Sequence, residues 1–163
     1  MRIAATAVWL CALVAGGSEA GDTSWVLELS DAEIHTRVQQ LEADPLGKDA
    51  NVLRSVLVTY FDEIDLTFEV CTTHLKPMLN SRPRSHKDLW LHLIIATGDH
   101  LLSNPDQLSQ THVYQLAGLE RVIDVYDRMI QHNSKLVHPF MEDLRARRED
   151  GTLAEFVRSS KCD

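Results

Sequence analysis

The chain is 163 residues long and sets 16 lysines and arginines against 24 aspartates and glutamates, a formal net charge of −8 with histidine neutral. An acidic surface repels nucleic acid and anionic membrane, so neither is an expected partner. The length suits one domain of ordinary size, with core enough to fold without depending on cross-links.

The first twenty residues differ in kind from the rest. Met1 and Arg2 form a short positive start, Ile3 to Ala15 is apolar, and Gly16, Gly17, Ser18, Glu19 and Ala20 follow. This is the layout of a secretory signal peptide, with the small residues Ser18 and Ala20 marking cleavage before Gly21. The apolar run is shorter than the roughly 20 residues that cross a bilayer, and no later stretch is long enough either. Residues 1–20 therefore read as signal and 21–163 as one secreted domain without stable membrane insertion. Cys11 leaves with the signal. Cys71 and Cys162 remain, and an even number in an oxidising compartment predicts one disulfide between them. No Asn-x-Ser/Thr sequon occurs, so no N-linked glycan is expected.

Beyond the signal, Ser30 followed by Glu33 forms a capping box, in which each side chain satisfies a backbone N–H that the helix cannot. Ile34, Val38 and Leu41 then share one helical face, and Asp44-Pro45-Leu46-Gly47 ends the segment. A second helix is expected over 49–79, on a stripe of Leu53, Leu57, Tyr60, Ile64, Phe68, Cys71 and Leu75 at steps of three and four. The β-branched Val56, Val58, Thr59 and Val70 favour strand, but no period of two is expected to hold beyond a few residues. Pro77 should end or kink this helix, with a loop at Asn80-Ser81-Arg82-Pro83.

Ser85 and Asp88 open a third helix in the same capping style, buried through Leu89, Trp90, Leu93, Ile94, Leu101 and Leu102, with Gly98 a weak spot. After the turn at Asn104-Pro105-Asp106, a fourth helix carries Leu116, Leu119, Ile123, Tyr126 and Ile130 inward. Its Glu120, Arg121, Asp124, Asp127 and Arg128 read as the solvated side. Asn133 and Ser134 interrupt it. Pro139 suits a first helical position, ahead of the inward Phe140, Met141 and Leu144. Thr152 with Glu155 reads as another capping box, after the Asp150-Gly151 turn and before Phe156 and Val157. The expected fold is all-α: an antiparallel bundle of four main helices with one or two short C-terminal ones. A Cys71–Cys162 bridge would pin the last helix over it.

The sequence carries few residues in patterns that support catalysis or metal binding. The eight histidines, at 35, 74, 86, 92, 100, 112, 132 and 138, never stand three or four apart, which zinc-binding helices need. Asp88 and His92 are four apart and could share one ligand face, but such pairs are common on exposed helices. Asp62, Glu63, Asp65 and Glu69 form a dense carboxylate cluster; paired carboxylates do acid–base work only where burial splits their pKa values. There is no Gly-x-Ser-x-Gly elbow and no phosphate-cradling glycine loop. Arg145, Arg147 and Arg148 are offset by Glu142, Asp143, Glu149 and Asp150.

No catalytic residue, metal ligand or cofactor is assigned, and the ligand-binding residues stay unassigned. The expected function is extracellular binding without catalysis, through a helix face presented to another protein. The alternative is a carrier of a small apolar ligand held between the helices. Tyr60, Phe68 and Tyr126 are expected to fill the centre and leave a carrier no room. Any of Val56, Val58, Phe61, Val113 and Val125 left exposed would mark the binding face. Secreted material should begin at Gly21 on N-terminal sequencing; retention of Trp9 or Leu13 would end the secreted reading.

Overall fold

The computed structural model describes residues 24–79, 81–83 and 85–161. The expected signal, Gly21 and Cys162 lie outside the described residues. Those described are helical with connecting turns, and among them no strand is formed. None of their helices is long and apolar enough to cross a membrane.

Four long helices and three short ones follow in order: α1 (Asp31–Ala43), α2 (Ala50–Glu63), α3 (Lys76–Leu79), α4 (Ser85–Ser103), α5 (Thr111–His132), α6 (Pro139–Glu149) and α7 (Leu153–Ser159). The cap on α1 forms as its sequence requires. Ser30 N donates to Glu33 Oε2 at 2.9 Å, and Glu33 N donates to Ser30 Oγ at 3.4 Å. Ile34, Val38 and Leu41 are its buried residues.

The organising element is α4, which packs against α1, α2, α3 and α5. A helix with neighbours on so many sides cannot be amphipathic, and α4 buries ten residues from His86 to Leu101. Its Leu89 and Leu93 join a larger apolar cluster with Leu119, Ile123 and Tyr126 of α5, Met141 and Leu144 of α6, and Leu153 and Val157 of α7. Ile95 faces a second cluster with Ile34, Val38 and Leu41 of α1 and Leu57, Tyr60 and Phe61 of α2. Each such side chain contributes about 1.5–3 kcal/mol on full burial. Tyr126 and Tyr60 thus serve different clusters rather than one shared centre. The close seating of α2 explains Gly98, which is a contact point rather than a weak spot. A β-carbon there would lie 2.5 Å from Cδ1 of Phe61.

The long second helix is overturned. It ends at Glu63, Ile64 turns to extended backbone, and a 3-10 turn over Thr72–Leu75 and the short α3 follow an irregular stretch. From Ile64 to Val70, apolar and polar residues in fact alternate strictly. Ile64, Leu66, Phe68 and Val70 are half-buried, while Asp65, Thr67 and Glu69 are exposed. Burial follows that alternation after a tight turn in which Leu66 N donates to Ile64 O at 2.8 Å, whereas a helix would place Leu66 and Val70 opposite Ile64. This strap is anchored on α5: Glu69 N donates to the Tyr114 hydroxyl, and Gln115 Nε2 donates to Glu69 O, both at 3.2 Å. Phe68 lies on the strap, half-buried, and not at the bundle centre.

The expected Thr152 capping box does not form either. Thr152 sits in right-handed helical backbone with no side-chain cap bond. Its N–H instead donates to Arg147 O at 2.8 Å, closing the end of α6 around Gly151 at φ +73°.

Gly98→Ala tests the seating of α2. Alanine gains up to about 1 kcal/mol in helix propensity, but overpacking costs about 1–3 kcal/mol. A lowered denaturation midpoint is expected, with the loss removed in a Phe61→Leu background. A stabilising Gly98→Ala in the otherwise unaltered protein would contradict so close an approach.

Candidate functional site

Three polar or open regions stand out from the apolar packing. The first is a network joining α1, α4 and α5. Arg121, expected on the solvated side of α5, turns inward instead: its Nε donates to Glu42 Oε1 and its Nη1 to Asp99 Oδ2, both at 2.7 Å. His92 Nε2 donates to the same Glu42 oxygen at 3.2 Å. His35 Nδ1 donates to the Asp99 carboxylate at 3.1 Å, and Gln39 Nε2 donates to His35 Nε2 at 2.9 Å. Burial pushes the Glu42 carboxyl up, but the bonds from His92 and Arg121 outweigh it and hold it below its ordinary value. Burial lowers the guanidinium pKa of Arg121, and its two carboxylates more than reverse that. For His92 burial wins, and the imidazole is held below its ordinary value despite Glu42. Every polar group here is spent on another, and no nucleophilic hydroxyl or thiol is bonded to either histidine.

The second region holds histidines at the C-terminal end. The His86 and His138 rings meet edge to face with centroids 5.2 Å apart. His86 Nε2 donates to Leu136 O at 2.9 Å, and His138 caps α6 by accepting from Phe140 N at 3.3 Å. Burial, and then His86, keep the His138 pKa low. The Tyr126 hydroxyl, which donates to Glu142 at 2.7 Å, is pushed up to about 12 by burial and that bond. His74 is fully buried against Phe156, with no hydrogen-bond partner of good geometry at either ring nitrogen. Burial lowers its pKa, which the nearby Val157 backbone only partly offsets.

The third region is open. On the outward side of α4, one cleft of about 380 Å³ is lined by Asn51, Arg54, Ser55, Val58 and Thr59 of α2 with Asp88 and Leu91. A second, of about 430 Å³, lies between Phe61 and Asp62 of α2, the strap residues Leu66, Phe68 and Val70, and Trp90 and Ile94 of α4. The two clefts share no lining residue; Val58 to Asp62 and Leu91 to Ile94 each span about one turn. Trp90, Leu91 and Ile94 of α4 line them and are half-buried, and the buried Trp90 Nε1 has no hydrogen-bond partner, while about half of the surface that each cleft presents is polar. The exposed large apolar side chains among the described residues, Leu27, Val52, Leu108 and Val137, stand singly on separate elements, and none of them lines either cleft.

The residues singled out in the sequence fall apart or regroup. Asp88 pairs with Arg54 at 3.7 Å while His92 turns to Glu42, so the two do not share a ligand face. Among the described residues no group of three or more His, Cys, Asp or Glu is arranged to hold a metal ion. Asp62, Glu63, Asp65 and Glu69 are all exposed along the end of α2 and the strap. Arg145 and Arg148 reach across to Asp127, at 2.6 and 2.9 Å, tying α6 to α5. Of the off-stripe residues none is left exposed to mark a binding face: Phe61 and Val125 are buried, Val113 is half-buried, and Val56 and Val58 are half-buried against the second cluster, Val58 also lining the first cleft. Cys71 is buried, and two residues on the Thr73 hydroxyl donates to Lys161 O at 2.9 Å. Sequence periodicity missed Arg121 and the strap; the strap's signal was its alternation.

His74, His92 and His138 all resist protonation while folded, whereas an unfolded histidine takes up its proton near pH 6.5. Below that pH the unfolded chain binds more protons, so their contribution is complete above about pH 6.5 and lost as acid is added. Urea midpoints should therefore fall between about pH 7.5 and pH 5, and His74→Leu should lessen the fall. An unchanged slope in that variant would show His74 to have no part in it.

The chain matches no protein-family model, no curated protein and no solved structure.

Proposed function

We propose that this is a secreted, non-enzymatic helical binding protein, acting on another extracellular protein through the outward groove of α4. The observation that carries the reading is that half-buried aromatic and aliphatic side chains of α4 line two open clefts. The floor of Trp90, Leu91 and Ile94 faces outward between α2 and the strap, while the large side chains of both clusters are buried against one another. A groove flanked by two elements and floored by aromatic and aliphatic side chains suits a protein segment. The alternative of a small-ligand carrier would need an enclosed apolar chamber between the helices. The network of Arg121, Glu42, Asp99 and His92 occupies the junction of α1, α4 and α5 where such a chamber would open.

The disulfide belongs to the same proposal. Pairing of Cys71 with Cys162 is supported by the Thr73–Lys161 hydrogen bond, since Lys161 directly precedes Cys162. A bridge closing about ninety residues is worth roughly 4 kcal/mol in the chain-entropy model. The unreduced protein should then be monomeric on a denaturing gel with no free thiol. A dimer that collapses on reduction would make the bridge intermolecular.

Two measurements test the function. A fluorescent fatty-acid analogue titrated into delipidated protein should show no saturable uptake; binding near one ligand per chain, competed by unlabelled lipid, would favour the carrier. A pull-down from the secreting tissue's fluid should recover a partner with the unaltered protein and lose it with Ile94→Glu. Equal recovery with both would remove the groove from the function.

A further inference from the structure

Histidines that no spacing pairs in the sequence meet beneath α6 and α7. His86, in the first turn of α4, is 2% exposed, and His138 stands at the N-cap of α6. Leu136 O can only accept, so His86 Nε2 carries the hydrogen of the 2.9 Å bond to it, while His86 Nδ1 lies 2.7 Å from Ser81 Oγ. His86 can take a second proton without losing a bond, because the Ser81 hydroxyl turns from donor to acceptor. His138 has no such freedom. Its Nδ1 lone pair accepts from Phe140 N at 3.3 Å, and a proton on that nitrogen removes the cap. That proton would also sit at the positive end of α6 and beside the His86 ring, 5.2 Å away between centroids. No nearby carboxylate is bonded to either ring: Glu142 is engaged by Tyr126 and Arg145, and Asp127 of α5 by Arg145 and Arg148. Arg82, Lys87, His132 and Lys135, on the surrounding elements, are exposed.

A third histidine lies under the same pair of helices. His74 is fully buried against Phe156 of α7, with ring centroids 5.7 Å apart and no hydrogen-bond partner of good geometry. No carboxylate is bonded to it to share a proton's charge, and a cation already lies over the same Phe156 ring, Arg147 at 5.1 Å. Of the other charged groups on these elements, Lys76, Glu155, Arg158 and Lys161 are exposed. While α6 and α7 are seated, a proton on His74 or His138 is therefore opposed; once the rings are free in water it is not.

We propose that α6 and α7 form an acid-released flap, freed from α4 and α5 by protonation of His138 and His74 while α1, α2, α4 and α5 stay folded. Each of these short helices buries only two residues, Met141 and Leu144 on α6 and Leu153 and Val157 on α7, against ten on α4. Segments with few buried contacts open first. The pairs of Arg145 and Arg148 with Asp127 and Asp124 contain no histidine and are the last hold of α6 on α5. His92, bonded to Glu42 of α1, is not part of the flap. A ring that stays neutral while seated and titrates near pH 6.5 once free favours release by about tenfold at pH 5.5, and scarcely at all at pH 7.4. Two such rings together favour it by up to about a hundredfold. Release uncovers the apolar face that α5 shares with Met141, Leu144, Leu153 and Val157.

Hydrogen exchange of the unreduced protein, read by peptide mass at pH 7.4 and pH 5.5 and corrected for the chemical rate, tests the flap. The opening constant of amides 140–159 should rise by about ten- to a hundredfold on acidification. At pH 5.5 these amides should exchange at least about tenfold faster than the buried stretches of α4 and α5. Exchange of α6 and α7 at the rate of α4 and α5 would show one global opening and overturn the inference, as would an unchanged opening constant. His138→Asn keeps a cap acceptor that does not titrate and should remove about tenfold of the rise. His74→Leu should remove a similar share, and His112→Asn, exposed on α5, none of it. A rise of full size in both His138→Asn and His74→Leu would overturn the inference; if His74→Leu does not fold, His138→Asn decides alone.

Discussion

A helix buried on nearly every side must find partners for whatever polar groups it carries, and α4 carries His92 and Asp99 where water cannot reach them. Asp99 is 2% exposed. Arg121 meets that demand from α5, one guanidinium spanning Asp99 of α4 and Glu42 of α1 at 2.7 Å each. Arginine suits the place because its planar fork presents several donors at fixed angles and keeps its charge when desolvated. Removing one member of such a set leaves an uncompensated charge in a poorly solvated site, which is far costlier than the net worth of the intact pair.

The rest of the architecture follows from that join. With α1 and α5 fixed to α4 on its polar side, the apolar residues of α4 divide between two clusters. Gly98 and Gly118 allow the neighbouring helices to come close: a β-carbon at Gly118 would lie 2.3 Å from Thr97 Oγ1. What α2 and the strap leave uncovered is the stretch of α4 around Leu91 and Ile94, which becomes the floor of the open groove. The same packing that needs Arg121 inside thus leaves the apolar outward face on which the proposed function rests.

Local chemistry was legible from the residues where it depends on near neighbours. The Ser30–Glu33 box, the stop at Asn133 and Pro139 at the start of α6 involve positions within a turn of one another, whereas the stripe of α5 was legible only in part: Leu119, Ile123 and Tyr126 are buried, Leu116 and Ile130 half-buried, and Val122, Val125 and Met129 are buried beside them. Arg121 was not legible, because its partners lie 79 and 22 residues away and nothing local separates it from a surface arginine. The strap was missed for a different reason: Ile64, Phe68, Cys71 and Leu75 satisfy a helical period while Ile64, Leu66, Phe68 and Val70 satisfy a strand period. Tyr114 and Gln115, binding the backbone of Glu69 from another helix, decide between them. Thr152 carried the right residue for a cap, but its N–H was claimed by the end of α6. The groove, assembled from α2, the strap and α4, has no contiguous signature at all.

Arg121 holds the junction of α1, α4 and α5 together, and the unfolding free energy of an Arg121 variant is the direct measurement. Arg121→Met preserves much of the side-chain volume while removing the charge that Asp99 and Glu42 share. The loss should be roughly 3 kcal/mol or more, the scale for breaking one side of a buried pair. Much of it should return when Glu42→Gln and Asp99→Asn are added to the same chain. A loss under about 1 kcal/mol, the scale of a surface ion pair, would contradict the view that this network holds α1, α4 and α5 together.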